Sequence, residues 1–268
     1  MEIGFKNVDF SYKKINYETK EVLKNINIEF EKGKITSIIG KSGSGKTTML
    51  ELISSIISPT KGEIVFENKN KIGFLFQFPE EQFFNQTISK ELEVVLKLNE
   101  YKTKDKSKRI SDALKMVGLD DSYLNVNPFE LSNGEKRKVA LASILILNPD
   151  ILLLDEPTNG LDIKSKNELI RLIRLLKKRY NKTIIIASHD MDFIHSITDY
   201  IYVLDNKQII MEGDKYSIFK KEDELNKINI KVPKIIEFSN KVFKNKKIKI
   251  GYRDDINDLI KDIYRYVK

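Results

Sequence analysis

Eight consecutive residues have the types and the spacing of a loop that binds phosphate. Residues 40–47 read G-K-S-G-S-G-K-T, which matches the pattern G-x-x-x-x-G-K-T. The three glycines allow a tight backbone arc whose N–H groups point inward, toward phosphate oxygens. Lys46 supplies positive charge for terminal phosphates, and the Thr47 hydroxyl can ligate an accompanying Mg²⁺. We expect the nucleotide-binding residues of this region to be Gly40, Lys41, Ser42, Gly43, Ser44, Gly45, Lys46, Thr47 and Thr48.

The segments on either side of this loop support the same interpretation. Residues 34–39 form a short β-branched run, and residues 48–53 continue as an apolar helix. A strand, a glycine loop and a helix N-terminus together make an anion site, to which the helix dipole adds attraction. The alternative is an accidental glycine-rich turn, which this context disfavours. The sequence therefore predicts that the chain binds a nucleoside triphosphate.

Three further side chains are expected at one edge of the same sheet. The apolar run 151–154 predicts a buried strand that delivers Asp155 and Glu156 at its C-terminal end, where open α/β sheets bind ligands. Asp155 is suited to orient Mg²⁺ through its water shell, and Glu156 to polarise the water that attacks the γ-phosphate. His189 follows the apolar run 183–187 at a place where a γ-phosphate contact is useful; the alternative for it is a structural role.

The order of apolar patterns predicts an α/β fold with a mostly parallel sheet and early antiparallel strands. After about residue 215 the regular alternation fades, and a small C-terminal appendage follows. Strand patterns cover residues 3–12, 22–30, 62–66, 71–76, 151–155 and 183–188, and helical patterns cover 88–98, 106–117, 133–147, 165–179, 232–243 and 256–267.

Composition narrows the classes of protein that fit. Of 268 residues, 41% are hydrophobic, which suffices for a sizeable core, and no cysteine is present for a disulfide or a thiolate metal site. The net charge of +8 is dispersed, and the basic runs at 102–109 and 244–249 lack interleaved aromatic residues. We interpret them as solvated lysine faces and expect no nucleic-acid partner. With no leader pattern and no apolar run approaching about 18 residues, we expect a cytoplasmic chain whose membrane role would need a separate spanning subunit.

Residues 131–135 read L-S-N-G-E and resemble the signature motif of ABC-type ATPases. The stretch from about residue 3 to residue 213 is similar to the nucleotide-binding domain of that family. The resemblance implies an ABC-type P-loop ATPase domain at 1–214, with a RecA-like sheet core, an antiparallel β subdomain and a helical subdomain at about 86–148. A C-terminal accessory or dimerisation region would occupy 215–268. The motifs follow in the family's order: phosphate loop, Gln77 in the Q-loop, signature, Asp155 and Glu156, Asp162 in the D-loop, and the switch His189.

The resemblance also implies a site shared between two subunits in a head-to-tail dimer. Gln77 would contact Mg²⁺ and link the nucleotide to a membrane partner. Tyr12 looks like the aromatic residue that stacks on adenine, with Tyr17 as the competing candidate and a plain surface role as the alternative. ATP would lie between the phosphate loop of one subunit and the signature of the other, which here consists of Ser132, Asn133, Gly134 and Glu135.

The signature departs from the common L-S-G-G-Q at two positions. Asn133 replaces a glycine, and asparagine is among the few residues that tolerate positive φ. Glu135 replaces glutamine, so that a carboxylate that only accepts hydrogen bonds stands in place of an amide that can donate. Gly134, where the backbone must approach phosphate, is kept. We expect a working composite site whose strength these two exchanges leave open.

The Q-loop region resembles that of one particular group, the ATPase subunits of energy-coupling factor transporters. Residues 76–84 read F-Q-F-P-E-E-Q-F-F. Those transporters import vitamins and transition-metal ions, and they pair two similar ATPases with a transmembrane coupling subunit and a small substrate-binding membrane protein. Phe78, Phe83 and Phe84 would line a groove for a coupling helix, or else pack in the core. The resemblance implies ATP and Mg²⁺ as cofactors, a hetero-pair of ATPases in preference to a homodimer, and a peripheral place on the cytoplasmic face of the membrane.

Other ABC proteins remain as alternatives. The chain could serve another importer or exporter, or act as a soluble ABC ATPase. DNA-repair and chromosome-maintenance ATPases carry a long coiled-coil insertion between phosphate loop and signature, for which the interval from Lys46 to Ser132 is too short. Translation-associated ABC proteins carry two cassettes, and this chain has one. A module that holds ATP without hydrolysing it is disfavoured by Glu156 and His189.

Overall fold

The structure is a computed structural model that describes residues 2–13, 19–101, 105–246 and the isolated positions 258, 260, 261 and 264. Tyr17 and most of the helix expected at 256–267 lie outside the described residues, as do parts of the two basic runs. Within them, each strand and helix predicted from the sequence is present, with ends shifted by a few residues.

A three-stranded antiparallel sheet forms one layer, in the order β2-β1-β4. Its strands are β1 (Ile3–Lys13), β2 (Thr19–Phe30) and β4 (Lys61–Phe66). Alternate side chains of β1, such as Ile3 and Phe5, are buried and pack with helix α1 (Lys46–Ile53) in one hydrophobic cluster. This layer covers one face of the larger sheet and brings the end of β1 toward the phosphate loop.

The larger sheet has six strands in the order β5-β6-β7-β3-β8-β9, all parallel except for β9. Leu152 and Leu154 of β6 belong to the hydrophobic cluster on one face, and Ile151 and Leu153 belong to the cluster on the other. Burial on both faces explains why these strands are continuous apolar runs. The strands are β3 (Ile35–Ile39), β5 (Ile72–Leu75), β6 (Ile151–Asp155), β7 (Thr183–Ala187), β8 (Tyr200–Asp205) and β9 (Gln208–Asp214).

Helices cover the second face and build a separate helical layer around the signature. Ser132 caps the N-terminus of α4, whose residue Val139 packs in the same cluster as Leu92 of α2 and Leu114 of α3. Short 3₁₀ turns at Pro79–Gln82, Asp121–Asn125 and Pro128–Glu130 connect these helices. The helices are α2 (Ile88–Leu98), α3 (Lys106–Met116), α4 (Asn133–Leu145), α5 (Ile163–Tyr180) and α6 (Met191–Ile197).

Within the described residues up to 246, the C-terminal region adds the helices α7 (Lys215–Phe219), α8 (Glu222–Lys227) and α9 (Lys234–Lys246). Phe219 and Ile236 are fully buried in the hydrophobic cluster that also holds the helical layer. The described part of this region therefore shares the core of the preceding domain. No helix in the described part of the chain is both long and apolar enough to cross a bilayer.

Candidate nucleotide-binding site

The phosphate loop connects β3 to α1 in a conformation that needs its glycines. Gly43 and Gly45 have φ of 76° and 111°, in the left-handed region that favours glycine. A Cβ on Gly40 would stand only 2.4 Å from the main-chain oxygen of Leu204, so this position also needs a residue without a side chain. None of the described side chains caps the N-terminus of α1, so its first N–H groups are left available at the loop. The arrangement is an anion site at a helix N-terminus.

Lys46 is held inside the loop by main-chain oxygens. Its Nζ donates to the carbonyls of Gly40 and Lys41, both at 3.0 Å, and lies 3.9 Å from Oε1 of Glu156. Only 7% of the residue is exposed. Burial lowers the pKa of Lys46, and the neighbouring carboxylates of Glu156 and Asp155 partly oppose that shift. The ammonium group is thus preorganised beside the place where terminal phosphates would bind.

Asp155 and Thr47 provide oxygen atoms suited to Mg²⁺. The Thr47 hydroxyl donates to Oδ2 of Asp155 at 2.7 Å, while Oδ1 is buried and has no hydrogen-bond partner among the described residues. Burial raises the pKa of Asp155, and the hydrogen bond from Thr47 partly offsets the rise. Mg²⁺ keeps several waters and needs only one or two protein oxygens, so a single carboxylate and a hydroxyl fit it. In the described ranges, no group of three or more His, Cys, Asp or Glu residues could hold a metal. A site that offers Mg²⁺ one carboxylate and one hydroxyl does not need such a group.

Glu156 and His189 meet at the same sheet edge. His189 Nδ1 lies 2.8 Å from Oε1 of Glu156, whose Oε2 accepts from the Ser188 hydroxyl at 3.0 Å and the His189 N–H at 3.2 Å. Glu156 has a φ of 43°, a strained conformation for a residue with a side chain. Such strain concentrates at functional sites, where the surrounding structure maintains it.

One cavity of about 1380 Å³ gathers the residues that the sequence predicts for binding in cis. Residues of the C-terminal region, including Lys231 and Lys234, also line this cavity. They were not predicted there from the sequence. The main-chain N–H of Lys234 donates to Asp192, near His189. The helical pattern at 232–243 predicts the start of α9 but gives no sign that this segment lies beside the phosphate loop. The expected residues that line the cavity are Tyr12, the whole run from Gly40 to Thr48, Gln77, Asp155, Glu156 and His189.

Tyr12 stands at the mouth of the cavity with its hydroxyl anchored. The hydroxyl lies 3.2 Å from Oγ1 of Thr48 and donates to Oε2 of Glu51 at 2.9 Å. Its ring packs edge-on against Phe10, with 4.8 Å between centroids, and 40% of the residue is exposed. A fixed and partly exposed ring is compatible with stacking on a base; that role for Tyr12 remains a prediction.

The signature lies apart from the residues described as lining this cavity. Ser132 and Glu135 form a capping box at the N-terminus of α4: the Ser132 side chain accepts from the Glu135 N–H, and the Glu135 side chain accepts from the Ser132 N–H. Asn133 is the first residue of α4 and does not have positive φ, so tolerance of that conformation is the wrong explanation for the exchange. A Cβ on Gly134 would stand 2.8 Å from Oγ of Ser165, so that hydroxyl would have to turn away to admit a larger residue. Asp162 of the D-loop caps α5 beside it, by accepting from the Ser165 N–H at 2.7 Å.

The three phenylalanines expected to line a groove have different environments. Phe78 is 51% exposed and Phe84 is 66% exposed, so both rings face the surface. Phe83 is only 8% exposed and belongs to the hydrophobic core, so its assignment to the groove is wrong and core packing explains it. Phe129, in the 3₁₀ turn before the signature, is also exposed (54%). It was not among the phenylalanines that the sequence analysis named.

Comparisons with known proteins identify the family. The family described as ABC transporter matches residues 23–159, slightly more than half of the chain. An energy-coupling factor transporter ATP-binding protein, EcfA2, of Clostridium perfringens is 36% identical over 91% of this chain and 92% of its own length. EcfA3 of Oenococcus oeni is 37% identical over 91% of this chain and 90% of its own length.

Solved structures agree. A dimeric ATP-binding cassette in a post-hydrolysis state, bound to ADP and Pi, aligns with a TM-score of 0.72 and 31% identity over 79% of this chain and 98% of its own. CbiO1 of Clostridium perfringens, part of the ABC transporter complex cbiONQ, aligns with a TM-score of 0.73 and 28% identity over 89% of this chain and 98% of its own.

Fold and site together define an α/β P-loop ATPase. The chain belongs to the ABC transporter family, and it is an ATP hydrolase that resembles energy-coupling factor ATP-binding proteins.

Proposed function

We propose that this chain is the ATP-hydrolysing motor subunit of an energy-coupling factor importer for vitamins or transition-metal ions. The observation that carries the proposal is its similarity to EcfA2 and EcfA3 over nine-tenths of both chains, which includes the C-terminal region beyond the common cassette. The exposed rings of Phe78 and Phe84, just after Gln77, supply an apolar surface for a membrane subunit.

In this proposal each subunit binds ATP with its own loop and completes its partner's site with its signature. Lys46 binds terminal phosphates, Glu156 accepts a proton from the attacking water, and Ser132 reaches the γ-phosphate in trans. When bound, Mg²⁺ supplies positive charge that neutralises the phosphates; Thr47 and Asp155 would hold it, with Gln77 nearby. The work comes from the differential affinity of the closed and open pairs for ATP and ADP.

The partners proposed are a second, similar ATPase, a transmembrane coupling subunit and a small substrate-binding membrane protein. Such an assembly would hold this chain at the cytoplasmic face of the cell membrane as a peripheral subunit. The altered signature at Asn133 and Glu135 favours a hetero-pair, because a second ATPase would then contribute a different signature to one of the two composite sites.

Co-purification tests the proposal. The tagged chain is isolated from native membranes in mild detergent, and the proteins that accompany it are identified by mass spectrometry. We expect one further ATPase and two integral membrane proteins, and the smaller membrane protein then indicates the cargo. Recovery of no integral membrane protein would contradict the transporter role, and DNA binding that weakens steeply with salt would favour a soluble ABC protein instead.

A further inference from the structure

Arg137 places a buried guanidinium where three segments of the ATPase meet. It lies in the second turn of α4, and only 5% of the residue is exposed. Its Nη2 donates to the carbonyl of Gln77 at 3.2 Å and to the carbonyl of Asn159 at 3.2 Å. One side chain of the signature helix therefore contacts both the Q-loop and the turn that follows Glu156.

Each of the two carbonyls that accept from Arg137 belongs to a segment that lies at the nucleotide cavity or is bonded to a residue that does. Gln77 lines that cavity together with Asp155 and Glu156. The N–H of Asn159 donates to the carbonyl of Glu156 at 3.1 Å, so Asn159 moves with the turn that carries this carboxylate. A shift of either segment displaces a hydrogen-bond acceptor of Arg137, and a buried charge does not readily give up such partners.

The other end of this connection is the signature. Ser132 and Gly134 stand at the N-terminus of α4, and Ser132 is about 7.5 Å along the helix axis from Arg137, at 1.5 Å per residue. Because a helix moves as a rigid element over that distance, a displacement of α4 at Arg137 would carry Ser132 and Gly134 with it. The neighbouring Lys138 joins α4 to α5 through an ion pair with Glu168 at 2.7 Å. Among the described residues it has no hydrogen bond or ion pair with the Q-loop or the Asn159 turn, which makes it a matched control.

We propose that Arg137 is a positioning residue that couples the Q-loop and the Glu156 turn to the signature helix. Its buried Nη2 donates both hydrogen bonds, so that a phosphate-dependent movement of Gln77 rotates α4 and aligns Ser132 with the partner's nucleotide. This role rests on the ATPase activity and not on transport, so co-purification can fail while the coupling role holds, and the reverse.

The test compares Arg137→Met, Arg137→Lys and Lys138→Met in the full-length chain, in the ATPase complex in which it is purified. Arg137→Met should lower kcat about tenfold while KM for Mg·ATP changes less than about threefold, because binding in cis depends on the phosphate loop. Arg137→Lys should retain a large part of kcat, because one ammonium group can donate to both carbonyls, and Lys138→Met should stay within about twofold of the parent. An unchanged kcat for Arg137→Met, a change confined to KM, or an equal loss for Lys138→Met would overturn the proposal.

A double-mutant cycle separates positioning from a loss of folding. Gln77→Ala removes the side chain that senses the cavity, so Arg137→Met added to it should lower kcat by less than about threefold. A further tenfold loss in that background would show that Arg137 acts independently of the Q-loop and would overturn the proposal. If Arg137→Met does not fold, the same cycle is run with Arg137→Gln, which removes the charge but keeps a polar side chain and whose kcat should then be less sensitive to Gln77→Ala than that of the parent.

Discussion

The Nδ1 atom of His189 lies 2.8 Å from Oε1 of Glu156, so the two side chains predicted to act on the γ-phosphate and its attacking water contact each other directly. The second oxygen of Glu156 accepts from Ser188 and from the His189 N–H. Oε1 is thus the carboxylate oxygen left for an attacking water, which would approach it beside the ring of His189. The His189 side chain is 64% exposed, which leaves it room to turn toward a phosphate.

Glu156→Gln should separate ATP binding from hydrolysis. The amide has nearly the same size and keeps an oxygen for the hydrogen bonds at this edge, but it does not accept a proton from water. We expect phosphate release to fall by about 100-fold or more, with little change in ATP affinity. Gel filtration with Mg·ATP should show an accumulating dimer. Hydrolysis at the parent rate would remove Glu156 from the catalytic role proposed for it.

His189→Ala should slow turnover by a different route. The substitution frees Oε1 of Glu156 for water but removes a donor to the γ-phosphate, and the loss of one such donor lowers kcat about 100-fold. Phosphate release and ATP affinity are measured together. A turnover equal to or above that of the parent would mean that the His189–Glu156 contact only restrains the carboxylate.

Glu135→Gln should strengthen the ATP-dependent pairing of the ATPase subunits. The Ser132 hydroxyl donates to Glu135 at 2.6 Å, so its proton points at the carboxylate instead of at a partner's γ-phosphate. Hydrogen bonds from the Ser132 hydroxyl and from Tyr123 lower the pKa of Glu135, and its negative charge therefore persists throughout the neutral range. Removing that charge should strengthen ATP-dependent pairing about tenfold, or about 1.4 kcal/mol, the size of one hydrogen bond.

The control for this substitution is Glu130→Gln, which removes the same charge at an exposed position close to the signature. It should change the ATP concentration at half-maximal pairing little. The α4 cap should survive in Glu135→Gln, because the N–H of residue 135 still donates to Oγ of Ser132. Weaker pairing in Glu135→Gln than in the parent would contradict this explanation of the altered signature.

Local patterns predicted most of the fold because they determine most of it. Helix α2 and strand β6 have the bounds that apolar spacing indicates. The β8–β9 hairpin was missed, since its turn is formed by Asn206 and Lys207, which both adopt positive φ without the glycine that usually marks such a turn. Helix α6 was also missed; it is only seven residues long, too short for a clear helical period.

Tertiary contacts account for what the sequence could not predict at the site. The spacing of Phe78, Phe83 and Phe84 gives no sign that the middle ring is buried and the others are exposed. In the sequence, Arg137 is one of several charged residues in a row, and nothing in that pattern indicates burial. Only the folded chain brings it to the carbonyls of Gln77 and Asn159. The order of the motifs was readable because the chemistry of phosphate fixes their residue types.

Asp155→Asn should stabilise the nucleotide-free protein. Burial raises the pKa of Asp155 above its ordinary value, so the folded state binds this proton more tightly than the unfolded state does. The ionised carboxylate therefore lowers stability at neutral pH, and that effect disappears as the pH falls through the raised pKa. The asparagine oxygen can still accept from Thr47, and Lys46 keeps Glu156 as its counter-charge.

We expect the melting temperature of Asp155→Asn without nucleotide to rise by about 2–4 °C at pH 7, the shift that about 1 kcal/mol produces in a chain of this size. The gain should shrink as the pH is lowered. Stabilisation by Mg·ATP should be weaker than in the parent, because a ligand for Mg²⁺ is lost. A lower melting temperature at pH 7 would show that the charge of Asp155 supports the empty site.

The surface rings near the Q-loop should be required for membrane assembly but not for folding. In the double variant Phe78→Ala with Phe84→Ala, we expect the melting temperature to stay close to that of the parent, because both rings are exposed. Recovery of membrane subunits in the pull-down should fall about tenfold or more, since buried aromatic residues dominate interface energies.

Two single variants serve as comparisons. Phe83→Ala should lower stability by about 3–5 kcal/mol, as expected for a large core ring. Leu98→Ala, which removes a side chain of a residue that is 75% exposed on α2, should change neither quantity. Full recovery of membrane subunits with the double variant would place the membrane contact elsewhere on the chain, whereas loss with Leu98→Ala as well would indicate a wider apolar surface than these two rings.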